Sequence, residues 1–137
     1  MAATRRGLLR EHSYKPRPFF RTIPGEAIKD TLFFGFELET ENILNRHTQD
    51  DHILWSQKFW EDKGCGKFCY YKWDGSLHNG IEIVSHPMSW AWFQKNKPYF
   101  TEYLAGLRSR GLALVQHRYM RPSHPHEQGR LLRHPAL

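Results

Sequence analysis

Between Asp30 and Thr40 the chain reads DTLFFGFELET, and Phe34, Phe36 and Leu38 alternate with Gly35, Glu37 and Glu39. A period of two belongs to a β-strand with one face turned to a core, so the segment is predicted as a strand with the aromatic and aliphatic side chains inward and the acids outward. Residues 41 to 50 are polar and predict a loop. Asp50 or Asp51 can then cap a helix running to about Asp62, with Ile53, Leu54, Phe59 and Trp60 on its apolar side, and Gly64-Cys65-Gly66 to end it. Lys67 to Trp73 (KFCYYKW) is aromatic-rich and predicts a second strand. Asp74-Gly75-Ser76 and His78-Asn79-Gly80 are turn signals, Ile81 to Ser85 (IEIVS) is a short strand, and Pro87 ends it. Phe100, Tyr103, Leu104 and Leu107 fall at i, i+3, i+4 and i+7, the stripe of a second helix. Pro98 is best tolerated in a first turn, which suggests Asn96 as cap, and Gly111 suits the residue just past the end. The order strand, helix, strand, strand, helix predicts an α+β fold, an antiparallel sheet with helices packed on one face.

Composition fits this picture. A chain of 137 residues with 39% hydrophobic and 15% aromatic residues has the length of one domain and can bury a core. No apolar run approaches the ~18 residues of a membrane span, and the Met-Ala-Ala-Thr-Arg-Arg start lacks the apolar stretch of a signal peptide. Cys65 and Cys69 are the only cysteines, too few for a disulfide framework, and a cytoplasmic protein without a membrane partner is expected. The net charge of +6 is uneven. Residues 1 to about 28 are basic and broken by Pro16, Pro18 and Pro24, which predicts an extended, solvated arm with at most a short helix over Leu8 to His12. The division is therefore an arm over 1–29, a folded unit over 30–111 and a basic tail over 112–137.

The chemistry sits on the strands. Glu37 and Glu39 share a strand face, and Glu82 alternates with Ile81 and Ile83, so it too points away from the apolar side. Asp74 begins the turn between the second and third strands. Carboxylates gathered on one sheet face suit a hard divalent ion such as Mg²⁺, which takes oxygen ligands and keeps places for water and phosphate. The plainer alternative is the solvated face of an amphipathic sheet.

Three blocks in order, Phe34-Gly35-Phe36-Glu37-Leu38-Glu39, Trp73-Asp74-Gly75-Ser76-Leu77 and Gly80-Ile81-Glu82-Ile83-Val84-Ser85, resemble the signature series of the amidoligase family. These are carboxylate–amine ligases with a glutamine synthetase-like catalytic fold, common in phages and their hosts. The resemblance covers about residues 31–111. It implies ATP- and Mg²⁺-dependent amide formation between a small-molecule or peptide carboxylate and an amine, through an acyl phosphate. It also implies that Glu37, Glu39 and Glu82 are the catalytic, metal-holding acids, and that Asp74 and Ser76 serve in positioning metal, nucleotide or substrate.

After Gly111 the resemblance stops. The family continues with a strand of approximate form Cys-Gly-hydrophobic-His-hydrophobic-His, whereas Leu112 to Leu137 carries four Arg, one Glu and four of the nine His with no clear period. Codons compatible with Gln116 to His126, read one nucleotide later, can spell Asn-Thr-Asp-Thr-Cys-Gly-Leu-His-Ile-His-Met. The expectation is a frameshifted tail, poorly packed from Leu112 on, in which His124 and His126 are not the family's histidines. The chain then reads as a truncated copy with impaired or lost activity. Two other readings stay open: a non-catalytic interaction module, and a basic nucleic-acid-binding protein using Arg5, Arg6, Arg10, Lys15, Arg17 and Arg21 with the interleaved Tyr14, Phe19 and Phe20. The second is less favoured, because no folded nucleic-acid motif follows the arm. Cys65 and Cys69, with His52 and His78 nearby in sequence, match structural zinc spacing poorly.

Overall fold

The computed structural model describes residues 9–73 and 79–115. Seven strands and two helices follow one another as β1 (Leu9–Arg10), β2 (Phe33–Phe34), β3 (Glu37–Asn42), α1 (Gln49–Asp62), β4 (Cys69–Lys72), β5 (Glu82–Ser85), β6 (Met88–Ser89), α2 (Trp90–Ser109) and β7 (Leu112–Leu114), with a 3-10 turn over Ile28–Asp30. Five strands make one sheet in the order β1-β4-β5-β3-β7, and β2 pairs with β6 in a separate two-stranded ribbon. All pairings are antiparallel except β1 with β4. The class is α+β.

The segment expected as one strand over 30–40 is two. Gly35 interrupts it: a side chain there would begin 3.0 Å from Ser85 Oγ, and the Phe36 amide donates to that same hydroxyl at 2.9 Å. β3 then runs on to Asn42, through residues expected to be loop. α1 is capped by Thr48 rather than by Asp50 or Asp51. Thr48 Oγ1 accepts from the Asp51 amide at 3.1 Å while the Asp51 carboxylate accepts from the Thr48 amide, a capping box. Leu54, expected on its apolar side, is exposed.

α2 starts well before the expected Asn96 cap. Ser89 caps it, its Oγ accepting from the Trp92 amide at 3.1 Å, so Pro98 lies inside the helix and Asn96 is a buried helical residue donating to the Trp92 carbonyl at 2.9 Å. Gly64 and Gly111 end the two helical segments at positive φ, 76° and 87°, which glycine adopts without steric cost.

Both helices pack on the sheet face that carries Leu38, Ile83 and Tyr71. The centre of this core is aromatic: Trp60 from α1 meets Phe68, Phe100 and Tyr103 with ring centroids 4.9–5.3 Å apart. The Ser56 hydroxyl bonds the buried Tyr71 and Tyr103 hydroxyls at 2.8 and 2.6 Å, so the polar tips of these large side chains are satisfied inside the core. At the far end, the Arg110 guanidinium donates from Nε to His52 Nδ1 at 3.2 Å, tying the end of α2 to the start of α1.

Two expectations about the ends of the folded unit are corrected. Leu112–Leu114 is not loose tail: it pairs antiparallel with β3 and Leu112 is buried. His124 and His126 lie outside the described residues. The arm, over the residues described, lies along the sheet while most of its residues stay exposed, and it has no helix at Leu9–His12. Leu9 and Arg10 extend the sheet beside β4, Arg21 bridges to Met88, and the arm's aromatic rings contact the protein, Tyr14 on Tyr70, Phe19 on His86 and Phe20 on Phe33, with Phe19 and Phe20 still exposed. Among the described residues no helix is long and apolar enough to cross a membrane.

Candidate functional site

Register decides which side chains share the face opposite the helices. Glu37 pairs with Val84 and Glu39 with Glu82 across β3 and β5, while Tyr70 pairs with Val84 and Lys72 with Glu82 across β4 and β5. Arg10 pairs with Lys72 across β1 and β4. Directly paired residues project to the same side of a sheet. One row across this face therefore reads Arg10, Lys72, Glu82, Glu39, and the neighbouring row reads Tyr70, Val84, Glu37. Glu37, Glu39 and Glu82 come together on one face, with Glu41 added beyond them opposite Ala113 of β7. The row is bipolar, cationic at the β1–β4 side and anionic at β3.

The Glu39–Glu82 pair is held in a close register. Backbone hydrogen bonds on either side of it join Ser85 to Phe36 at 3.0 Å and Thr40 to Ile81 at 3.1 Å. In an antiparallel pair the hydrogen-bonded and non-bonded positions alternate, so Glu39 and Glu82 occupy a non-hydrogen-bonded position, where Cα atoms approach to about 4.5 Å and side chains are nearest. Thr40 locks this spacing. Its buried hydroxyl donates to the Ile81 carbonyl at 2.8 Å and accepts from the Ile81 amide at 3.0 Å. Gly80 fits only as glycine, because a Cβ there would fall on the Thr40 carbonyl, and its own carbonyl accepts from Gln49 Nε2 at 2.7 Å.

Glu82 is 5% exposed, and its Oε1 has no hydrogen-bond partner among the described residues. Burial pushes its carboxyl up from the ordinary value; Lys72 pulls it down, Glu37 and Glu39 push it up, and His12 of the arm pulls it down. Like charges directly opposite one another destabilise a sheet. A buried acid with an unpaired oxygen facing another acid is thus a costly arrangement that a bound cation would relieve. Among the described residues no three His, Cys, Asp or Glu side chains converge to hold a metal as they stand. Mg²⁺ does not need three, since it is commonly bound through one or two carboxylates with water and phosphate completing its shell. Glu39 and Glu82 fit that smaller demand.

A cavity of about 480 Å³ lies on this face, lined by Glu37 but not by Glu39 or Glu82, and by Tyr70, Lys72, His86 and the arm residues Lys15 and Pro16, among others. The strand KFCYYKW showed only its aromatics to sequence reading, and Lys72 was missed. Its alternation with Tyr70 puts the two on one face, but only the register shows that this is the acid face. His86 continues the Glu82, Val84 alternation just past β5 and was also missed, whereas Lys15, read only as one of the arm's phosphate-contacting cations, reaches this face through the docking of the arm. Asp74 and Ser76 lie outside the described residues. Cys65 and Cys69 are free thiols, both pushed up from the ordinary value by burial.

Comparison of the chain with family models, with curated proteins and with solved structures finds no match.

Proposed function

We propose that the acidic sheet face binds Mg²⁺ with the phosphates of ATP, and that the chain is a carboxylate–amine ligase of the amidoligase kind, with a glutamine synthetase-like arrangement of sheet and acids. The observation that carries the reading is the Glu39–Glu82 pair, close across two strands with a buried, unpartnered Glu82 oxygen. The three sequence blocks supply the class of reaction.

Glu39 and Glu82 would hold the metal, and Glu37, on the same face in the floor of the cavity, would complete its acidic side. When bound, the ion neutralises phosphate charge and orients the group being transferred. The chain's own part is positional. Thr40 and Gly80 fix the strand register that places the two acids, and Lys72 sets a positive charge beside Glu82. Asp74 and Ser76 would position metal, nucleotide or substrate, and the carboxylate and amine substrates would be small molecules or peptides.

A thermal-shift experiment tests this. Mg²⁺–ATP at a hundredfold excess over its Kd stabilises a folded protein by about 2.7 kcal/mol, several degrees for a domain of this size. The parent chain should show that increment, and Glu82→Gln, which keeps shape and removes charge, should lose it. Equal shifts in both proteins would remove the acids from the site.

A further inference from the structure

The arm is pinned at both ends of a short span that crosses the acid face. At one end the Trp73 amide donates to the Arg10 carbonyl at 2.8 Å. At the other the Phe19 amide donates to His86 Nδ1 at 3.2 Å and the Arg21 amide to the Pro87 carbonyl at 2.9 Å. Midway, the Tyr14 ring stands edge-on to Tyr70 at 5.6 Å, and the Arg10 guanidinium lies over the Tyr14 ring, 4.6 Å from its centroid. Residues Lys15, Pro16 and Pro18 therefore form the roof of the 480 Å³ cavity whose floor is Tyr70, Val84 and Glu37. Two prolines restrict the backbone there and lower the entropic cost of holding the roof in place.

The donors around this cavity have a common character. Lys72 is a buried ammonium and Lys15 an exposed one, both on its wall. His86 accepts at Nδ1, so in its neutral form the proton sits on Nε2, a third donor. Burial and the Arg21 charge hold His86 below its ordinary value, which keeps it in that form near neutral pH. Against these stands one carboxylate of the lining, Glu37. Cationic donors beside a row of acids suit a phosphate that reaches toward a metal.

We propose that the arm completes a phosphate-binding site: Lys15 from the roof and Lys72 from β4 together grip the oxyanion of a polyphosphate in this cavity. The inference deepens the nucleotide reading above and shares its face of the sheet, but it does not need the metal. The site takes phosphate oxygens, which free pyrophosphate and a nucleotide diphosphate both present.

The test is isothermal titration of the full chain with pyrophosphate in metal-free buffer. The parent should bind, Lys15→Gln should bind at least fivefold more weakly, and Lys15→Arg should recover most of the affinity by keeping the charge. Lys29→Gln removes the same net charge outside the cavity and should change little. Tyr14→Ala, which frees the roof without touching a cation, should also weaken binding. ADP should compete with pyrophosphate and adenosine should not. Absence of pyrophosphate binding at millimolar concentration, equal losses in the Lys15 and Lys29 variants, or competition by adenosine would each overturn the proposal. Pyrophosphate binding that depends on Lys15, alongside a Mg²⁺ effect that ignores Glu82, would keep this site and discard the ligase reading; the reverse pattern would do the opposite.

Discussion

Burial holds the Glu82 carboxyl above its ordinary value, with Glu37 and Glu39 adding to the effect. An acid whose folded pKa exceeds its unfolded one stabilises the fold at low pH and loses that contribution as the pH rises through the folded value. At neutral pH the ionised group therefore costs stability. Glu82→Gln should raise metal-free stability at pH 7 by up to about 1 kcal/mol, the size typical of relieving a strained functional position, and by less near pH 4; urea unfolding at the two pH values measures it. A loss at pH 7 would mean that attraction to Lys72 outweighs burial. His52 behaves with the opposite sign. It is 1% exposed, and burial, then Arg110 and His47, lower its pKa to about 4, with Asp51 opposing. A base with a lowered pKa keeps the fold stable above its unfolded value and withdraws that stability as the pH falls from 6.5 toward 4. The withdrawal amounts to roughly 3 kcal/mol at most. His52→Asn retains an acceptor for Arg110 and should flatten the stability profile between pH 7 and pH 4.5.

Gly80 is a single atom's width from the backbone that sets the β3–β5 register. Gly80→Ala must push Thr40 and the strand apart, so a loss of roughly 3 kcal/mol or more is expected in urea unfolding, together with the metal response. Ser89→Ala removes both the helix cap and a 2.6 Å hydrogen bond to Glu26, and about 1–2 kcal/mol should go with it. No loss would mean that α2 does not depend on this start. The strands that carry acids were legible because alternation needs no knowledge of neighbours: Glu37, Glu39 and Glu82 could be placed opposite the apolar side chains from the sequence alone. The break at Gly35 was not, since it depends on a hydroxyl fifty residues away. The start of α2 was hidden for a related reason. Trp90, Trp92 and Phe93 form an apolar cluster without clear helical period, and a rule that places proline in a first turn moved the start toward Pro98.

At the scale of the whole molecule, two helices cover one side of the sheet and the arm crosses part of the other, leaving the acids at the arm's edge. The two-sided plan followed from pattern; the arm's docking did not, because a basic, proline-broken segment looks the same whether it is solvated or laid on a sheet. The strand at Leu112–Leu114 shows that local order continues past Gly111, so a shift of reading frame, if the gene carries one, should fall after it. Sequencing of the gene should then show an open downstream frame encoding Cys-Gly-Leu-His-Ile-His, and a closed frame would dismiss that reading. Glu39 and Glu82 are proposed to form a metal site on this face. Crystals grown with Mn²⁺ and a non-hydrolysable ATP analogue test it most directly through the anomalous signal of the metal. A peak is expected within coordination distance of Glu39 and Glu82, with phosphate oxygens completing the shell. Nucleotide bound with no metal on this face, or a peak held by other residues, would contradict it.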